Sequence, residues 1–259
     1  MWEIIFLCTA SFLISIVSFF SGFSLSTLLI PLISIFLPVS TAIAITAFIH
    51  LVHNLVKFGF LWKSVDWFVV LCFGVPAFLS AIGGAFLLIQ LAEIKPLFSY
   101  TLFNMTFKVQ LINFIIGILL IFIASYDFIP VTKEFTFTKK GLFAGGVVSG
   151  FFGGLSGLQG AFRSSVLVHS SLGKESFVGT SAAISSLVDL SRLIIYGSAL
   201  RMLFVFHQEY VLIAALTLAA FFGLLIGRLY LHKVTIIFIK RLITGLLYLF
   251  GLLLIFGII

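Results

Sequence analysis

Charge is what this sequence most lacks. Only 9% of its 259 residues are Asp, Glu, Lys or Arg, where a soluble domain carries about 25%. Acidic residues are the scarcer kind, eight against fifteen basic ones. Water cannot solvate so uncharged a surface, which excludes a soluble enzyme or carrier. The two cysteines, Cys8 and Cys72, both lie inside apolar runs, so a disulfide framework is excluded as well. Five prolines and no Pro/Gly/Ser-rich tract leave no linker to divide the chain. The basic residues form no stripe interleaved with aromatics, so the net charge of +7 does not point to nucleic acid. The opening Met1-Trp2-Glu3 lacks the basic flank of a signal peptide. The apolar run that follows exceeds signal length and reads as a first membrane helix.

What is present is hydrophobic: 62% of residues, 33 of them Phe, with a mean hydropathy of +1.32. At about 20 residues per spanning helix, the length allows roughly ten passes with short loops. The expected fold class is therefore an all-α integral membrane protein. Its partner is the lipid bilayer, and it sits as a multi-pass protein of the cell (inner) membrane.

The chain also carries a copy of itself. An offset of 135 positions lays Ser21-Gly22 on Ser156-Gly157, Leu37 on Leu172, Thr46 on Ser181, Ala47 on Ala182 and Leu55 on Leu190. The same offset pairs Asn54 with Asp189 and Lys57 with Arg192. Each half reads as a helix, a Gly/Ser-rich break, a short apolar segment and three longer segments. In the first half these fall near residues 4–20, 21–24, 25–36, 40–62, 67–91 and 109–125, with 96–108 as an interfacial connector. In the second they fall near 141–152, 153–157, 158–171, 174–196, 210–230 and 236–256. The expected organisation is a transmembrane repeat over 1–125, a loop over 126–138 and a second repeat over 139–259. Two repeats with interrupted hydrophobic segments at matching places are the pattern of a secondary transporter.

Charge suggests orientation. Lys57, Lys63, Lys133, Lys139, Lys140, Lys174, Arg228, Lys233, Lys240 and Arg241 fall on one set of loops; Lys95, Lys108 and Arg201 fall on the other. The positive-inside rule makes the first set cytoplasmic and both termini extracytoplasmic. Five passes per half, an odd number, make the second repeat inverted relative to the first.

The breaks supply the candidate substrate site. A segment of about 13 helical residues reaches roughly 20 Å, short of a hydrocarbon core of about 30 Å. Irregular backbone at that depth must be buried in protein or line a wet cavity. Gly22 and Gly157 are expected to open helices, whose N-termini offer unpaired N–H groups to an anion. Ser21, Ser24 and Ser26 add hydroxyls on one side, and Ser156, Gln159, Gly160 and Arg163 add polar groups on the other. Close helix packing through small residues is the plainer reading of the same glycines. Arg163, inside a membrane segment, costs at least about 2.5 kcal/mol to insert, so it is expected to face a partner or a cavity.

A second constellation follows. His50, His53, Asn54 and Lys57 share one helix face, and the matching stretch holds Ser181, Ser185, Asp189 and Arg192. A histidine there can carry a proton, so the stripe is a candidate for cavity lining and for proton or sodium coupling. Structural hydrogen bonding is the alternative. Asp189 and Arg192 are spaced to neutralise each other. No Cys or carboxylate completes a metal set around His50 and His53, and neither a metal nor a cofactor is expected. Gly154-Leu155-Ser156-Gly157 spells the G-x-S-G of rhomboid intramembrane proteases, with Ser156 as the serine. A base would have to come from a neighbouring helix; His169 follows within the same short segment and His207 lies near a helix end, neither in the small-residue pattern that would bring a base close. A transporter, not an enzyme, is the preferred reading; a passive anion channel is the other alternative.

The run Val148-Ser-Gly-Phe-Phe-Gly-Gly-Leu-Ser-Gly-Leu-Gln-Gly, followed by Gly179-Thr180-Ser181, resembles the sulfite exporter TauE/SafE family. Pro31, within Leu29-Ile-Pro-Leu, resembles the proline that ends the family's motif. Two departures stand out. Ser24-Leu25-Ser26 replaces consecutive glycines in the first repeat, and Val166 replaces the proline in the second. The resemblance implies transport of a small sulfur-containing or organic anion, such as sulfite or a sulfonate.

Overall fold

In a computed structural model, residues 2–21, 24–102, 104–126, 138–168, 170, 172–199, 208–229 and 236–259 are described. They form α1 (Trp2–Ser21), α2 (Leu25–Ser34), α3 (Val39–Leu61), α4 (Trp67–Ala92), a β-hairpin of β1 (Phe98–Leu102) and β2 (Met105–Val109), and α5 (Leu111–Tyr126). The second half gives α6 (Lys139–Ser156), α7 (Gln159–Leu167), α8 (Lys174–Ala199), α9 (Tyr210–Leu229) and α10 (Ile236–Ile255). Among the described residues, five helices are long and apolar enough to cross a membrane: α1, α3, α4, α8 and α9. The chain is thus an all-α membrane protein with a single small hairpin among its described residues.

Local sequence explains the irregular points. Pro38 stands at the N-cap of α3, where its missing N–H costs nothing. Pro76 has no N–H to give the Cys72 carbonyl, and the helix widens into a π-helical stretch, Val70–Gly74, just ahead of it. The connector expected near 96–108 is a β-hairpin. Its strands pair Phe98 with Val109 through Leu102 with Met105, and Tyr100 stacks on Phe107 at 5.3 Å. Asn104 makes the turn at φ 61°, a conformation its short polar side chain tolerates.

Four close pairs organise the helices. Gly146, Gly150 and Gly154 of α6 lie on α4; a Cβ added to them would stand 2.3, 2.1 and 2.1 Å from the carbonyl oxygens of Phe73, Ala77 and Ala81. The order of contacts makes α4 and α6 parallel. On the other side α1 and α9 are parallel, with Ser11 donating to the Leu216 carbonyl and Ser15 to that of Ala220. By contrast α3 and α8 run antiparallel, Leu61 meeting Gly179 and His50 meeting Asp189. So do α5 and α10, which pair Ser125 with Tyr248 and Gly117 with Gly251.

The second break is narrower than the sequence suggests. Gly153 to Ser156 are the last turn of α6, and only Gly157 and Leu158 separate it from α7. Of the glycines that read as a break, Gly154 is there because α4 approaches backbone to backbone, which only small residues permit, while Gly153 faces Gln159 and Val188.

Candidate functional site

The two short helices begin side by side. Gly160, in the first turn of α7, lies so close to Ser24, the N-cap of α2, that an added Cβ would stand 2.6 Å from the Cβ of Ser24. Ser26 donates to the Gly157 carbonyl at 2.7 Å. Two positive helix ends therefore face the same volume.

Gly157 does not open a helix. It closes α6 in the left-handed region, at φ 73°, and its N–H donates to the Gly153 carbonyl at 2.9 Å. An anion cannot use that N–H. A glycine suits the position because a Cβ there would be strained and would also lie 2.6 Å from Arg192 NH1. Tyr196 caps the same end by donating to the Gly154 carbonyl.

Polar side chains converge on this junction. Asp189 Oδ1 accepts from Arg192 Nε and NH2, at 3.0 and 2.7 Å, and from Gln159 Nε2 at 3.0 Å. Its Oδ2 stands 2.6 Å from His50 Nδ1. The other ring nitrogen, Nε2, stands 2.6 Å from Ser24 Oγ, which is 2.6 Å from Ser26 Oγ. Asn54 Nδ2 lies 3.1 Å from both ring nitrogens, a position over the ring face, and donates to the His50 carbonyl. Arg163 NH1 donates to Gln159 Oε1 at 3.2 Å and to Ser185 Oγ at 2.5 Å.

A small pocket, open to solvent on one side, lies beside this network. Ser18, Ser24, His50, Asn54, Lys57, Arg163 and Ser181 form its polar wall, and Phe19, Leu25, Phe177, Val178 and Ala182 its apolar wall. Lys57 donates to the Ser18 carbonyl at 3.2 Å and lies 5.5 Å from the centre of the Phe19 ring. Arg163 Nε and Ser181 Oγ are buried without a hydrogen-bond partner.

The charge balance is lopsided. The buried charged side chains among the described residues are Lys57, Arg163, Arg192 and Asp189. Asp189 is matched to Arg192, as their spacing suggested. Lys57 and Arg163 have no carboxylate partner among the described residues. Burying an unmatched charge costs several kcal/mol, so these two side chains facing one pocket are its most expensive feature.

The structure thus gathers Ser24, Ser26, His50, Asn54, Lys57, Gln159, Gly160, Arg163, Ser185, Asp189 and Arg192 into one cluster, with Ser181 on the pocket wall. His53 is set apart: its Nε2 lies 2.8 Å from Ser15 Oγ on α1, and it does not line the pocket. Ser156 is also apart. Its hydroxyl donates to the Phe152 carbonyl within α6, and no described histidine touches it. Gly22, His169 and His207, and the side chain of Ser21, lie outside the described residues. Sequence reasoning missed Ser15, Ser18 and Tyr196. The spacing of Ser11, Ser15 and Ser18 on one face of α1 was a usable signal; nothing local marked Tyr196.

A bundle of apolar helices, interrupted twice where a buried polar pocket lies, defines a multi-pass helical membrane protein of the transporter class. More particularly, the chain belongs to the sulfite exporter family: the family model "Sulfite exporter TauE/SafE" matches residues 7–254. Members of that family are membrane transporters rather than enzymes. No curated protein and no solved structure matches the chain.

Proposed function

We propose that the chain exports a small oxyanion, sulfite or a sulfonate, through the pocket where α2 and α7 begin. The observation that carries this reading is the pair of buried cations, Lys57 and Arg163, that face the pocket without a carboxylate. Arg163 Nε, Ser181 Oγ and two protons of the Lys57 ammonium are unspent donors on one wall. A planar guanidinium and an ammonium are the groups that hold oxyanions. Lys57 and Ser181, read from sequence as cavity lining, thus join Arg163 as anion ligands. The apolar wall suits the organic part of a sulfonate.

The two halves act as inverted repeats, 1–125 and 139–259, joined by the loop 126–138. Counterpart helices α3 and α8, and likewise α5 and α10, run in opposite directions where they touch. Exchanging the halves also turns the α1–α9 pair into the α6–α4 pair. Both features support inversion, and alternating access follows from it. The coupling ion is a proton, His50 being a titratable group in the pocket wall bonded to a carboxylate. The bias of basic residues toward one set of loops supports an orientation with both termini outside the cell membrane.

Calorimetry with sulfite tests the site. Arg163→Ala should weaken binding by about 10- to 100-fold, the value of about 1.5–3 kcal/mol for a hydrogen bond to a charged group. Arg163→Lys should fall between. Parent-like affinity of folded, monodisperse Arg163→Ala would make the residue structural. Counterflow of sulfite in liposomes distinguishes a carrier from a channel, which shows none.

A further inference from the structure

We propose that one exchangeable proton, held between His50 and Asp189, works the bond that ties the two helix breaks together. The inference rests on the reading of this pocket as the anion path.

Donor and acceptor chemistry sets the direction of every bond in the row. A carbonyl only accepts, so Ser26 gives its single hydroxyl proton to Gly157. Ser26 then meets Ser24 only as an acceptor, so Ser24 gives its proton to Ser26. Ser24 has no second proton, so His50 Nε2 is the donor to Ser24. On the far side of the ring a proton lies between Nδ1 and Asp189 Oδ2. Three N–H groups, from Arg192 and Gln159, already point at Oδ1 and keep that oxygen an acceptor. Ring and carboxyl together hold two protons, one more than a neutral imidazole beside a carboxylate.

Removing that proton reverses the row. The ring keeps Nδ1–H toward Asp189, and the bare Nε2 takes the Ser24 proton. Ser24 and Ser26 are then left 2.6 Å apart with no proton between them. Ser26 relieves the repulsion by turning its own proton to Ser24, which releases the Gly157 carbonyl. Protonation thus ties the start of α2 to the end of α6, and deprotonation unties it. The groups that face His50 are Asp189 and Arg192 from α8, Arg163 from α7, Ser24 from α2, and His53, Asn54 and Lys57 from its own helix.

The test uses nitroxides at Ile35→Cys and Val168→Cys, exposed positions at the outer ends of α2 and α7, with Cys8 and Cys72 replaced by serine. Distances are read by electron spin resonance in lipid nanodiscs without substrate, from about pH 5 to about pH 9, across the range where an imidazole titrates. The parent should pass from one distance population to a second as pH rises. Ser24→Ala cuts the row but leaves Ser26 free to donate to Gly157, so it should stay in the low-pH population throughout. Ser26→Ala removes the tie and should stay in the high-pH population throughout. The latch is overturned if the parent does not shift, if Ser24→Ala titrates like the parent, or if both variants settle on the same side. Sulfite calorimetry at a single pH reads the anion site separately: a parent that binds sulfite but never shifts overturns the latch alone. One that shifts but binds no anion keeps the latch and removes the anion reading.

Discussion

Lys57 on α3 and Arg192 on α8 stand one repeat offset apart, yet only Arg192 has a carboxylate. Three residues before Arg192 is Asp189, bonded to it at 2.7 Å; three residues before Lys57 is Asn54. A carboxamide in place of a carboxylate leaves one half of the cluster neutral and the other positive. The pocket lies on the positive half.

Asn54→Asp should therefore hand Lys57 the partner it lacks and compete with the substrate. Sulfite affinity is expected to fall at least about ten-fold, or about 1.4 kcal/mol. Calorimetry on Asn54→Asp, with Asn54→Gln as control, measures it. Unchanged affinity in the aspartate variant would take Lys57 out of the anion site.

Asp189→Asn should be costly in a different way. It strands Arg192, which is fully buried. Breaking a buried ion pair from one side costs about 3–5 kcal/mol. Thermal unfolding in detergent should show a large drop in midpoint, and the double variant Asp189→Asn/Arg192→Gln should recover part of it. A single variant as stable as the parent would mean that the pair carries little of the fold.

The two histidines should separate. His50 lines the pocket and touches Asp189, while His53 turns to Ser15 on α1. The pH profile of sulfite flux in liposomes should flatten in His50→Gln and keep its shape in His53→Gln. A flat profile in the second variant would move the coupling step toward α1.

Much of this was legible in the chain. The interruptions expected at Ser21–Ser24 and at Gly153–Gly157 showed because they cut apolar runs too short to span, though the second narrows to Gly157–Leu158 in the structure. The Asp189–Arg192 pair showed because three residues is a helical neighbour distance. What stayed hidden depends on a second surface. The face that joins His50 to His53 says nothing of which neighbour each one meets. Gly153 and Gly154 read as a break because glycine's role in packing appears only with the neighbours in place, α4 at Gly154 and Gln159 and Val188 at Gly153. The hairpin at Phe98–Val109 escaped for another reason: one Asn in the left-handed region turns a connector into paired strands.

The spacing of α4 and α6 divides the glycines into two kinds under mutation. At Gly146, Gly150 and Gly154 even alanine would drive a carbon into a backbone oxygen that cannot swing aside. Gly59, Gly83, Gly197 and Gly245 sit in helices with nothing within 4 Å of the added carbon. Alanine at any of those four should raise stability by about 0.5–1 kcal/mol by removing freedom from the unfolded chain. A saturation library scored for yield of folded protein should show the contrast. Those three positions, and Gly84 across the same interface, where the added carbon would stand 2.0 Å from the Phe151 oxygen, would accept glycine alone, while the four open ones would accept alanine. A residue type that looks uniform on paper is, in this bundle, partly a ruler and partly slack.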